Sequence, residues 1–162
     1  MKRIAIVVAL AVALTALPQV RAEEARFVPR LGDIMTLLQI RHAKLWFAGN
    51  AQNWELAAFM IEEIQEGIED VGKYHPKADD VVMGPVIDAL NKGELATLGK
   101  AIEAKDRVRF RAAYDRLTAS CNACHQVTRH AFIVIQRPKA PPLGNQAYPP
   151  PGSRGTKSKP AR

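Results

Sequence analysis

Steps of 3, 4, 3, 4 and 3 residues separate Trp54, Ala57, Ile61, Ile64, Ile68 and Val71, which is the apolar stripe of an amphipathic helix. Glu62, Glu63, Glu66, Glu69 and Asp70 fall on its other face. Asn53 suits the helix start, and Gly72 is expected to end it. A second stripe runs through Leu31, Ile34, Met35, Leu38, Leu45 and Trp46. It has Asp33 in its first turn and Gly49 as its expected close. A third helix is expected to open at Pro85 and to carry Val86, Leu90, Leu98 and Ile102, with Gly93 as a point of interruption. A fourth starts at Asp106 and runs through Phe110, Ala113, Tyr114, Leu117, Cys121, Cys124 and Thr128. Only the short run at residues 132–135 hints at period two. Residues 73–83 form a longer polar link, whereas the other two connections are short and favour antiparallel neighbours. The expected fold is all-α, an antiparallel up-down four-helix bundle.

Charge divides the 162 residues into three parts. The formal net charge is +7, yet residues 23–137 hold 15 bases and 16 acids. That balance argues against a nucleic-acid-binding domain, which needs a basic folded face. The excess lies at the ends. Met1, Lys2 and Arg3 precede an apolar run at residues 4–17, and Val20-Arg21-Ala22 suits signal peptidase cleavage. Fourteen helical residues span about 21 Å, short of a membrane core of about 30 Å. Residues 1–22 are therefore expected to be a cleaved signal peptide, with an exported, periplasmic product and no transmembrane span in the mature chain. Residues 138–162 carry seven of the eleven prolines and five bases without an acid, and are expected to form a disordered basic tail.

The chemistry-bearing motif is Cys121-Asn122-Ala123-Cys124-His125, a C-x-x-C-H pattern that uses both cysteines of the chain. The spacing suits two thiols adding across the vinyl groups on one porphyrin edge, with His125 under the ring as an iron ligand. One covalent haem c is the leading expectation. A Cys121–Cys124 disulfide, a thioredoxin-like thiol pair and a zinc site are the alternatives. The chain shows no strand context for the second and no further ligand pair for the third. No paired carboxylates, Ser-His-Asp set or glycine-rich phosphate loop stands out, so no enzyme is expected.

On C-x-x-C-H-x-x-x-R, met by Cys121, Cys124, His125 and Arg129, residues 23–136 resemble cytochrome c′ and its low-spin relatives. The resemblance implies that the cysteines hold the haem, His125 is the proximal ligand, Arg129 lies beside the proximal face, and two copies can pair as a homodimer. The chain departs from the family at Thr128, where an aromatic residue is frequent, and in continuing through residues 130–135. On the distal side Met35 is the first candidate ligand, one turn into helix one. His42, on nearly the same face about 10 Å deeper, is the second. A six-coordinate iron makes an electron carrier with a protein redox partner. A five-coordinate iron makes a binder or sensor of diatomic gases.

Overall fold

The computed structural model describes residues 27–153. The segments expected to be a signal peptide (residues 1–22) and the last part of the basic tail (residues 154–162) lie outside the described residues. The described chain is mainly helical, in line with the all-α expectation. Helix α1 is Leu31–Asn50 and α2 is Trp54–Tyr74. A two-residue ribbon follows, with β1 (Lys77–Ala78) antiparallel to β2 (Val81–Val82). Helix α3 (Met83–Leu90) passes through a π turn (Asn91–Leu95) into α4 (Ala96–Glu103), and α5 is Arg107–Val127.

Local sequence explains both N-terminal boundaries that matter most. The Asn53 side chain accepts from the Leu56 N–H at 3.2 Å and starts α2. Asp106 accepts from Val108 and Arg109 at 2.9 and 3.0 Å and starts α5. These caps satisfy N–H groups that have no partner inside the helix. Helix α3 opens at Met83, two residues before the expected Pro85, because the Met83 N–H is taken by the Pro76 carbonyl at 3.0 Å and the link folds up beneath it. Gly93 falls inside the π turn, so the expected interruption is a widened turn within one continuous helical run.

The helix ends correct the sequence reading. Neither Gly49 nor Gly72 closes a helix. A Cβ on Gly49 would stand 2.1 Å from Phe110 Cζ, and one on Gly72 would stand 2.8 Å from Ile87 Cδ1. Both glycines are close-approach positions, where helices meet without room for a side chain. The left-handed closing residues are instead Gln52, Lys105 and Arg129, at φ of 58°, 53° and 60°. In each case the next N–H reaches back five residues: Asn53 to Ala48, Asp106 to Ala101 and His130 to His125, at 3.0, 3.0 and 2.7 Å. This is the Schellman closure with a residue other than glycine at its left-handed position. The carbonyls it satisfies offset the strain of the conformation.

The core gathers Leu45, Leu95, Leu98, Phe110, Tyr114, Leu117 and Val71, all fully buried. Helix α1 packs on α2 and α5, while α2 and α5 both meet the run from α3 to α4. Antiparallel contacts align α1 with α5. Arg111 at the start of α5 donates to Asn50 Oδ1 at the end of α1, at 2.7 Å, and His42 meets Thr118 farther along. Residues 132–135 form no strand, and residues 138–153 do not conform to the expectation of an unpacked tail. Tyr148 is 7% exposed, with its ring 5.3 Å from that of Phe47 on α1. Arg137 pairs with Asp115 at 2.7 Å and covers the Trp46 ring at 4.7 Å. The packed unit therefore reaches Tyr148, beyond the boundary expected at residue 137.

Burying a side chain the size of Tyr148 stabilises by about 2 kcal/mol, so a chain ended at Gln136 should melt about 4–8 °C below one ended at Ser153. Differential scanning calorimetry checks this, and equal melting temperatures would show that the segment contributes nothing.

Candidate haem site

A cavity of about 940 Å³ opens between α1, α3 and the C-terminal half of α5. Met35, His42, Cys121, Cys124 and His125 all line it. Its volume lies toward the upper end of the roughly 300–1,000 Å³ common for ligand sites. Leu31, Leu38, Ile64, Ile68, Met83 and Leu117 make much of the wall apolar. The sequence-derived site residues thus converge on one space, with the exception of Arg129.

Cys121 and Cys124 stand three apart on α5, which turns both thiols to the same side of the helix. Both are free, and no disulfide joins them. Burial, followed by the neighbouring Cys124, pushes the Cys121 thiol up to about 11, and burial also raises Cys124. Both therefore stay protonated at neutral pH. Among the described residues no group of three or more His, Cys, Asp or Glu side chains is placed to hold a metal ion.

His125 is oriented by the chain that follows it. Its Nδ1 lies 2.9 Å from the Ile133 carbonyl, and a carbonyl only accepts. Nδ1 therefore carries the proton, which leaves the Nε2 lone pair free in the neutral ring. Metal-ligating histidines are commonly held this way. Ile133 is brought there by Asn122, inside the C-x-x-C-H motif. The Asn122 side chain donates to the Ile135 carbonyl at 2.9 Å and accepts from the Ile135 N–H at 2.8 Å. The returning segment alternates as its weak period-two pattern suggests. Ile133 and Ile135 line the cavity, while Phe132 and Val134 are 79% and 71% exposed. Sequence reading missed the role of Asn122, because its partner Ile135 is brought to it only by the fold.

Arg129 departs from the position that the family resemblance implies. Helix α5 stops at Val127, so a residue four past His125 is no longer on the helical face. At φ 60° Arg129 turns outward, is exposed, and pairs with Asp80 at 2.9 Å in the ribbon turn. The same closure brings His130 to the cavity wall, where its Nδ1 donates to the Thr128 carbonyl. His75 is partly buried and donates from Nε2 to the Pro29 carbonyl at 2.9 Å.

His42 lines the cavity, but its ring is committed elsewhere. Thr118 Oγ1 donates its one proton to the Tyr114 carbonyl at 2.9 Å. His42 Nε2, 2.9 Å from that oxygen, must therefore donate to it. Nδ1 is then the acceptor, and the Tyr114 hydroxyl donates to it at 2.9 Å, with the His42 carbonyl as a second acceptor at 3.0 Å. Both nitrogens are thus used within the core, whereas the role expected of His42 as an alternative iron ligand needs one of them free. Burial lowers its pKa to about 4, which keeps the ring neutral. Met35 makes no such commitment. It lies seven residues before His42, and His125 lies seven residues after Thr118, so the antiparallel pairing brings Met35 and His125 to the same level.

A histidine buried neutral has a lower pKa folded than unfolded. It supports the fold fully above pH 6.5, and that support falls away as pH drops toward 4. The difference amounts to about 3 kcal/mol of unfolding free energy, which should be absent from the pH dependence of His42→Gln. Urea titrations at several pH values in this window test it, and parallel profiles for the two proteins would refute it. Separately, in the chain without attached haem, Cys121 should alkylate with iodoacetamide at pH 8 about a hundredfold more slowly folded than in urea. Peptide mass mapping reads the rate, and equal rates would show that the thiol is not buried.

No protein-family model matches the chain, and no curated protein or solved structure is significantly similar to it.

Proposed function

We propose that the chain is an exported, periplasmic c-type cytochrome that carries single electrons, built as an antiparallel up-down four-helix bundle around one covalent haem c. The observation that carries this reading is the convergence of Cys121, Cys124, His125 and Met35 on one large, mainly apolar cavity. The donor set fits the group. Two thiols on one side of α5 suit thioether attachment, and the held tautomer of His125 presents Nε2 to iron. Haem iron in this place supplies a reversible one-electron change.

The remaining work belongs to the chain. Cys121 and Cys124 fix the ring's edge to α5. The Ile133 carbonyl holds His125 against rotation and raises its basicity as a ligand. Met35, which lines the same cavity, would hold the iron through its thioether, a soft and neutral donor that would raise the potential. Apolar walls from Leu31, Leu38 and Ile68 keep water away, so ligation changes little on electron transfer. The involvement of both His42 nitrogens in other bonds supports Met35 over the histidine alternative. The partner in this reading is a redox protein.

Expression with a c-type maturation system should yield a protein whose mass includes one haem that resists acid–organic extraction. Its oxidised spectrum should be low-spin, with the long-wavelength charge-transfer band of methionine–iron ligation. Met35→Ala should abolish that band and allow rapid carbon monoxide binding. Haem that extracts freely would overturn attachment. A high-spin wild type that binds carbon monoxide at once would establish the gas-binding alternative.

A further inference from the structure

Among the described residues one acidic residue lines the cavity, Glu94, and no Lys or Arg does. Glu94 comes from the π turn that joins α3 to α4. Met83, Val86 and Leu90 line the cavity at steps of 3 and 4, and Glu94 follows four residues later, where that apolar stripe would continue. The buried stripe of α4 is Leu95, Leu98 and Ile102. Leu90 to Leu95 is a step of five residues, which the π turn provides. The widened turn thus keeps a carboxylate on the cavity wall without displacing Leu95 from the core.

Pairing does not account for this carboxylate. It makes no hydrogen bond or ion pair with any described residue. Lys92, the cation of the same turn, is held by Asp88 at 2.7 Å. Burial keeps His42 neutral and the two thiols protonated, so these neighbours on the wall bring no compensating charge. An apolar wall also extends the reach of a charge, because little water is there to screen it. We propose that Glu94 is a potential-setting residue, whose negative charge stabilises the oxidised, more positive form of haem iron held in the cavity and so lowers its reduction potential. The inference rests on the haem reading, but not on ligation by Met35.

Reduction brings one electron from the redox partner and removes one positive charge at the iron. No bond or proton is exchanged at Glu94. Its carboxylate attracts the iron more strongly before the electron arrives than after it. The effect opposes that of a Met35 thioether, which would raise the potential. A sphere of about 940 Å³ is about 12 Å across. Over that distance, at an effective dielectric of about 20, one unit charge changes an equilibrium by about tenfold.

The test is a potentiometric titration of the haem-loaded protein at neutral pH against a reference dye, followed optically. Glu94→Gln removes the charge and keeps the shape. Its equilibrium with the dye should shift about tenfold toward the reduced protein, which for one electron is a rise of about 59 mV. Glu94→Asp keeps the charge and should stay within about twofold of the wild type. Glu66→Gln removes an exposed acid of α2 and should also stay within about twofold, since solvent screens that position. An unshifted potential in Glu94→Gln overturns the proposal, and so does an equal rise in Glu66→Gln. Should Glu94→Gln not hold haem, Glu94→Ala is read in its place. Loss of haem from both overturns the proposal as well, because the side chain then serves the fold rather than the potential. A wild-type chain that attaches no haem overturns the functional reading itself, and the proposal with it.

Discussion

The hydrogen-bonded ring of His42, Tyr114 and Thr118 fixes the register between α1 and α5, and the geometry of the cavity depends on that register. Each of the three polar groups is buried, and each would be costly to leave unpaired. A shift of one helical turn would part His42 from both Tyr114 and Thr118 at once, and only the Thr118 bond to the Tyr114 carbonyl within α5 would survive. The ring therefore acts on specificity as much as on stability, since apolar stripes alone would tolerate sliding. With the register fixed, Gly49 meets the tip of the Phe110 ring at one end, and Met35 stands level with His125 at the other.

The second constraint is how α5 ends. The left-handed Arg129 lets the His130 N–H close on the His125 carbonyl and sends the chain back over the cavity. Asn122 then clamps Ile135 through both edges of its amide, which places the Ile133 carbonyl on His125. The motif and its return segment work as one unit. A residue in the variable part of C-x-x-C-H sets the direction in which the histidine presents its free nitrogen. The Arg129–Asp80 pair ties the same turn to the ribbon, although an exposed ion pair of this kind contributes little energy.

Much of the fold was legible because its information is local. The stripe from Trp54 to Val71 gave α2, and the caps Asn53 and Asp106 were identified as helix starts on side-chain chemistry alone. The apolar alternation of residues 132–135 also survives as a pattern of lining and exposed side chains, without any ladder of strand hydrogen bonds. The helix ends were not legible. Glycine is a frequent closing residue, but it is also the residue that lets two helices touch, and composition cannot distinguish these roles. At Gly49 and Gly72 the second role holds, and the left-handed positions fell to Gln52, Lys105 and Arg129.

By itself the sequence determined the helical periodicity, the near-neutral charge of residues 23–137 between basic ends, and the pairing of both cysteines with an adjacent histidine. Those properties depend on spacing along the chain, and spacing is what a sequence states. Only the tertiary structure decided that Arg129 points away from the cavity, that His42 uses both ring nitrogens within the core, and that Tyr148 extends the packed unit past residue 137. Each of these turns on a partner far along the chain: Asp80 for Arg129, Tyr114 and Thr118 for His42, and Phe47 for Tyr148. A side chain's chemistry is written in its identity, but its availability is set by what folding brings within hydrogen-bond or van der Waals reach, and no local pattern encodes that.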